Sequence, residues 1–275
     1  MNFKYFSQNG KILPIEQAII PLSNIEYSYG FGVYESIRVS NGVIYFLKDH
    51  MDRLFESAKI IRLNHSFNEE FIKNSILDLI KDHKTETFNL KILLIGGATK
   101  EEATLNIMCL NPLFPDKKLY RDGADFITYN YKRAFPHAKT LNMLESYLAY
   151  SKAKEKHAYD ALLINHNDFI LEGTRTNFFC IKNKVIYSPF EKDILLGVMR
   201  KAVLKVALIN NYQVIEKNIK LEDIKTFEGA FVTSTSSKII PIKSIDGNIL
   251  NIPDNLKNLM KLLNIFLENC EGKMK

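Results

Sequence analysis

Four separated groups of residues in this sequence have the types and settings that chemistry needs. Lys139 lies in Ala134-Phe-Pro-His-Ala-Lys-Thr-Leu-Asn142, a mostly uncharged stretch just before a helical pattern. A lysine in a partly apolar setting is readily neutralised and can then attack a carbonyl as an amine. Its ordinary alternative is a snorkelling surface lysine. Glu172 ends an apolar strand pattern and precedes the polar loop Gly173-Thr-Arg-Thr-Asn177. A carboxylate there must find a partner or carry the cost of desolvation, and a protonated ring nitrogen is one such partner.

The other two groups suit an anion. Gly197-Val-Met-Arg200 begins a helix after the apolar Ile194-Leu-Leu. The amides of Val198 and Met199 fall in a first turn, where N–H groups lack intrahelical partners and can hold a phosphate, and Gly197 would let it come close. Ser234-Thr235-Ser236-Ser237 adds hydroxyls and amides between two strand patterns. Arg53, in His50-Met-Asp-Arg-Leu54, lies near the apolar side of a helical pattern. It needs a pair there, either phosphate or one of the nearby acids Asp49, Asp52 and Glu56.

Several elements must position these residues. Lys4–Phe6 and Lys11–Leu13 flank Asn9-Gly10, and Val33–Val39 and Val43–Phe46 flank Ser40-Asn41-Gly42, two hairpin signals. Helical spacing covers 49–61 and 68–81, then Leu90–Ile95 and Thr104–Leu110 read as strands. The segment 112–123, with two prolines, mixed charge and a final glycine, breaks the periodicity. Residues 1–114 are therefore expected to form a smaller domain, 115–123 a linker and 124–275 a larger domain. In the second domain 142–157 reads as a helix, 161–164, 169–171, 178–181, 185–187, 230–233 and 239–242 as strands, and 197–209 and the stretch after Pro253 as helices. Strands grouped before helices argue for α+β domains within the broad α/β class, without regular βαβ alternation.

Composition narrows the function classes. The 275 residues carry 37 Lys+Arg against 31 Asp+Glu, a net charge of +6, yet no basic run exceeds two residues. Nucleic-acid binding is therefore not expected. The absence of a long apolar run or a signal-peptide pattern leads to an expectation of a cytoplasmic protein with no membrane partner. Three scattered cysteines and six histidines without ligand spacing motivate neither disulfides nor a metal site. P-loop, zincin, nucleophile-elbow and complete dinucleotide-binding motifs are missing.

In order and spacing, the sequence resembles the class IV, fold-type IV, pyridoxal-phosphate enzymes, which include branched-chain and D-amino-acid aminotransferases and aminodeoxychorismate lyases. The resembling stretches are Tyr29-Gly-Phe-Gly-Val-Tyr-Glu-Ser-Ile-Arg38, His50-Met-Asp-Arg-Leu54 with Ser57-Ala58, Lys139-Thr-Leu-Asn142, Asp160-Ala-Leu-Leu163, Glu172-Gly-Thr-Arg-Thr-Asn-Phe178, Leu196-Gly-Val-Met-Arg200, and Phe231-Val-Thr-Ser-Thr-Ser-Ser237 before Ile240-Pro241. The resemblance implies two α/β domains with pyridoxal 5′-phosphate at the domain interface, a homodimer, and amino-acid and 2-oxo-acid substrates. Lys139 would be the Schiff-base lysine and proton carrier, and Glu172 the partner of the pyridine nitrogen. Arg53, the Val198 and Met199 amides, Thr235 and Ser236 would hold the phosphate. Tyr34 would face the substrate, with Tyr29 and Arg38 near it. Tyr34 and Arg38 also share a face of the expected strand by period two.

Two departures bear on the substrate. The Arg-x-His pair of familiar D-amino-acid aminotransferases is replaced by Gly96-Gly97-Ala98, and the tyrosine that follows the lysine motif in branched-chain enzymes by Met143 and Leu144. The expected activity is transamination between an amino acid, of D-amino-acid or branched-chain type, and a 2-oxo acid such as 2-oxoglutarate. Its rivals are the lyase reaction and a basic binding protein that keeps only the fold.

Overall fold

The computed structural model describes residues 3–81, 86–112 and 114–273, the last three of these by backbone alone. The chain divides into two compact units, Met1–Leu113 with Ala138–Met143, and Phe114–His137 with Leu144–Lys275.

The first unit contains β1 (Tyr5–Gln8), β2 (Lys11–Pro14), α1 (Ile25–Ser28), β3 (Gly32–Ser40), β4 (Val43–Ile44), α2 (Leu47–Ile60), α3 (Glu69–Ile80), β5 (Phe88–Ile95) and β6 (Thr104–Leu110). The strands form one sheet in the order β2-β1-β6-β5-β3-β4, antiparallel throughout. Both hairpin signals are realised. Asn9 and Gly10 have φ of 48° and 81°, Asn41 and Gly42 of 51° and 77°, the doubly left-handed geometry that Asn-Gly tolerates and that matches strand twist. Along β3, Val33, Ile37 and Val39 point into a core shared with Met51, Leu54 and Ala58 of α2 and Ile72 and Ile76 of α3. Asn68 caps α3, its side chain accepting from the Phe71 amide at 2.8 Å.

Residues 138–143 join this unit through backbone pairing. The Tyr34 amide donates to the Lys139 carbonyl at 2.9 Å, and the Leu141 amide to that of Gly32 at 2.8 Å. Lys139 thus belongs structurally with β3, although the sequence assigns it to the second half.

The second unit contains α4 (Lys117–Asp122), β7 (Ala124–Asn130), α5 (Leu144–Glu155), β8 (Asp160–Ile164), β9 (Ile170–Gly173), β10 (Asn177–Lys182), β11 (Val185–Ser188), α6 (Val198–Ile209), β12 (Gln213–Glu216), β13 (Gly229–Ser234), β14 (Lys238–Ile245), β15 (Asn248–Ile249) and α7 (Asp254–Lys273). Its main path runs β12-β11-β10-β13-β14-β7-β8-β9. Because β9 also pairs with β10, the strands from β10 to β9 close into a circuit. Three pairings are parallel, β11–β12, β14–β7 and β7–β8. α5 makes the crossover that parallel neighbours β7 and β8 require.

Three features differ from the sequence reading. The 115–123 stretch is no bare linker: Asp116 accepts from the Lys118 amide at 2.8 Å and starts α4, which packs on β14. β7 has no counterpart among the expected strands. Asp125, Thr128 and Asn130 break its apolar pattern, and it is fixed by distant neighbours on both sides. β12 likewise escapes notice, being an exposed edge strand held by β11.

Candidate active site

In the first unit, β3 presents alternate residues to two different tasks. On the face away from the core, the Tyr34 hydroxyl lies 3.3 Å from Lys139 Nζ, and this amine stands 4.3 Å from the centre of the Tyr34 ring. No carboxylate among the described residues pairs with Lys139, so its amine is held by a phenol and a ring face. Lys91, on β5, lies on the same face with Nζ 5.9 Å from the Tyr34 ring centre. Arg38 also shares this face, partly buried.

On the core face, Glu35 is fully buried. It accepts from Arg53 Nε and Nη2, each at 2.7 Å, and lies 2.7 Å from His50 Nδ1. Burial alone would raise its carboxyl, yet Arg53 and His50 outweigh that and hold it at about 2. Burial pushes His50 downward despite the pull of Glu35. Glu35, from β3, is thus an acid partner of Arg53 that the nearby Asp49, Asp52 and Glu56 did not announce. A carboxylate at an inward position of an alternating strand was the signal available in the sequence, since such a group must find a buried cation.

In the second unit, Glu172 is 3% exposed. It accepts from Arg133 Nε at 2.8 Å and from the Leu195 amide at 3.1 Å. Arg133 also donates to Ser146 Oγ at 2.8 Å and to the Thr174 carbonyl at 2.7 Å, tying strand end, loop and α5 together. The sequence reading overlooked Arg133 because Lys132-Arg133 looks like an ordinary basic surface pair. The loop after Glu172 is held from its other side by buried Asp160, which accepts from Thr174 Oγ1 at 2.5 Å and the Ala161 amide at 2.9 Å. Burial raises the Asp160 carboxyl.

Gly197 is the N-cap residue of α6 and has no side-chain cap, with Val198 and Met199 behind it. Besides the expected close approach of a ligand, the fold itself restricts this position. A Cβ at Gly197 would lie 2.1 Å from Asn177 Oδ1, and Asn177 is fixed by its 2.7 Å bond to the Leu195 carbonyl. The Ser234–Ser237 turn is organised from within, with Ser234 Oγ accepting from the Ser237 amide at 3.1 Å. Thr235 is half-buried and Ser236 exposed at its tip.

Of the expected residues, Tyr34 and Lys139 meet directly and Arg38 shares their sheet face. Arg53 lies behind that face with Glu35. Glu172, Val198, Met199, Thr235 and Ser236 belong to the second unit. Tyr29, the residue that closes α1, is 82% exposed. Among the described residues no His/Cys/Asp/Glu group could hold a metal ion, and no helix is long and apolar enough to cross a membrane.

The family described as amino-transferase class IV matches residues 32–245. The chain is a class IV aminotransferase. It is 30% identical over 255 residues to the "Putative branched-chain-amino-acid aminotransferase" of Methanocaldococcus jannaschii, with 88% of each chain covered. It is also 30% identical over 251 residues to the D-alanine aminotransferase of Bacillus licheniformis, again with 88% of each covered. In fold it matches the branched-chain aminotransferase of Thermoproteus uzoniensis solved with norvaline, at a TM-score of 0.88, 24% identity, and 98% and 96% coverage of the two chains. The branched-chain amino acid aminotransferase of Thermobaculum terrenum, solved in its PLP-bound holo form, gives a TM-score of 0.85, 23% identity, and 98% and 95% coverage.

The mixed α/β architecture is therefore fold-type IV, and the class IV aminotransferase cofactor is pyridoxal 5′-phosphate. The donors present fit that group chemically. Lys139 offers an amine with no carboxylate partner among the described residues, Glu172 a buried carboxylate already aligned by Arg133, and α6 a first turn with no side-chain cap.

Proposed function

We propose that this aminotransferase moves an amino group between an amino acid, of branched-chain or D-amino-acid type, and a 2-oxo acid such as 2-oxoglutarate. The observation that carries the reading is Lys139 Nζ standing 3.3 Å from the Tyr34 hydroxyl with no carboxylate paired to it among the described residues. When bound, pyridoxal phosphate supplies the electron sink that stabilises charge at the substrate's α-carbon.

The chain's own residues do the rest. Lys139 would hold the cofactor covalently, and its amine, once freed by the substrate amine, would carry the proton from the substrate's α-carbon to the carbon two bonds away. Tyr34 orients that amine through its hydroxyl and ring face. Glu172 keeps a proton on the pyridine nitrogen. The Val198 and Met199 amides, Arg53, Thr235 and Ser236 hold the phosphate. Arg38 and Tyr29 serve the substrate. The protein works as a cytoplasmic homodimer.

The relatives' two substrate types both remain in this reading because the sequence carries neither group's usual marker. The familiar D-amino-acid clamp cannot be built at position 96, where a Cβ would lie 2.3 Å from the Phe31 ring. A screen of L- and D-enantiomers of branched-chain amino acids and alanine, with 2-oxoglutarate or pyruvate as acceptor, tests the proposal. Acceptor-dependent turnover with one enantiomer series supports it. Pyruvate release from aminodeoxychorismate without any 2-oxo acid replaces it with the lyase reaction.

A further inference from the structure

The position of Lys139 depends on a contact outside its own segment. Its backbone amide donates to Ser57 Oγ at 3.0 Å. Its carbonyl accepts from the Tyr34 amide at 2.9 Å. Both backbone groups of one residue are therefore fixed, one by α2 and one by β3. Ser57 is fully buried and lies one turn beyond Arg53 on the same helix. The inward-facing polar residues of α2 thus fall in one stripe, in which buried His50 and part-buried Arg53 meet Glu35 and buried Ser57 meets Lys139.

We propose that Ser57 is the positioning residue of the catalytic lysine. The proposal rests on the reading of Lys139 given above. A lysine that both bonds a cofactor and carries a proton must place one nitrogen at two neighbouring points. Its Cα therefore has to stay fixed while the side chain turns. A serine on a buried helix face provides an acceptor that cannot rotate into solvent. The Lys139 amide just precedes the short pairing of Thr140 with Val33, so Ser57 extends the anchoring of this segment by one residue. Without Ser57, the backbone at Lys139 is held from the carbonyl side alone. A misplacement of about 1 Å is enough to cost on the order of a hundredfold in rate.

The test compares wild type, Ser57→Ala and Ser57→Cys. Amide exchange is read by mass spectrometry on the cofactor-free protein, and kcat and KM are read on the loaded enzyme. Ser57→Ala should speed exchange of the Lys139 amide at least about tenfold and lower kcat at least about tenfold with KM within about threefold of wild type. Ser57→Cys, with a weaker acceptor in nearly the same volume, should fall between the two. It also carries the comparison where Ser57→Ala does not fold. Unchanged exchange at Lys139, or unchanged kcat despite faster exchange, overturns the proposal. Borohydride reduction of the loaded wild type followed by peptide mapping separates this from the underlying reading. Label on Lys139 leaves the reading standing whatever Ser57 does, whereas label elsewhere overturns both.

Discussion

Glu35 and Arg53 face each other through two 2.7 Å hydrogen bonds, with the carboxylate wholly buried and His50 on its other side. The arrangement makes the first unit sensitive to acid. Glu35 has its folded pKa depressed from 4.5 to about 2. Its stabilisation is therefore complete above the unfolded value and is lost as pH falls through that window. His50 is also depressed, so the unfolded chain binds its proton first, and stability already declines as pH drops below the ordinary histidine range. Denaturant titrations should show stability falling in two stages on acidification. Glu35→Gln should lower stability at neutral pH by about 3 kcal/mol and remove the lower stage. An acid limb identical in wild type and Glu35→Gln would falsify the assignment.

Arg53→Ala and Glu172→Gln should separate anchoring from ring electronics. Arg53→Ala removes a proposed phosphate donor and also strands buried Glu35. Its cofactor dissociation constant should rise, and its thermal midpoint should fall together with it. Glu172→Gln keeps the shape of the site and can still accept from Arg133, so cofactor retention should change little while the proton-transfer step slows. Stopped-flow half-reactions with excess cofactor, beside equilibrium dialysis, check this. Equal cofactor loss in both variants with no rate defect in Glu172→Gln contradicts the division.

The legible parts of this fold were those governed by neighbours in sequence. Asn9-Gly10 and Asn41-Gly42 declare their hairpins because a left-handed pair has few other uses, and α2 and α3 declare themselves through helical spacing. β7 stayed hidden because its partners β8 and β14 come from far along the chain and tolerate Asp125 and Thr128 among the buried Ala124, Phe126 and Ile127. The candidate residues of the site were readable as types, and their partners were not. Arg53 has three acids within four residues, and a further carboxylate reaches it from β3, whose alternation turns Glu35 inward. Arg133 is half of a basic pair, and only the fold brings it to Glu172. Gly197 was legible as a position that needs room, and the fold adds Asn177 as a group that would meet a side chain there.

Lys139→Ala should remove both colour and turnover while the fold survives. The side chain of Lys139 meets the Tyr34 hydroxyl and ring face and pairs with no carboxylate among the described residues, so its loss leaves no buried charge without compensation. The purified wild type should be yellow, and an amino donor should shift its visible band. Far-ultraviolet circular dichroism should be unchanged in Lys139→Ala, and its stability should match wild type within about 1 kcal/mol. Wild-type turnover in this variant rules out Lys139 as the covalent residue.

Gly197→Ala should destabilise the second unit by about 1–3 kcal/mol, since its Cβ has to displace Asn177. The cause can be isolated by a double-mutant cycle. Asn177→Ala alone loses the bond to the Leu195 carbonyl, but it also empties the space that the added methyl group at position 197 would need. The double variant should therefore be more stable than the sum of the singles by about 1 kcal/mol. Strict additivity would place the clash elsewhere.

Arg38→Ala addresses the substrate. Tyr34, Ser36 and Arg38 lie on the sheet face away from the core, opposite Leu93, Lys91 and Asn89 of β5. Lys91 and Lys139 both approach the Tyr34 ring, at 5.9 Å and 4.3 Å, so this face collects positive charge around one phenol. A second carboxylate on the substrate is the natural complement to such a face. Arg38 adds a planar, two-pronged donor, which suits a carboxylate better than the point charge of lysine. A partly desolvated charged contact is worth about 1.5–3 kcal/mol, which converts to about tenfold or more in KM. Arg38→Ala should therefore raise KM for glutamate and 2-oxoglutarate by that factor and leave a monocarboxylic donor within about threefold. The selectivity decides the matter, because a general loosening of β3 would move all three substrates together. Kinetics unchanged for all three assign Arg38 to the sheet surface and leave the carboxylate to other donors.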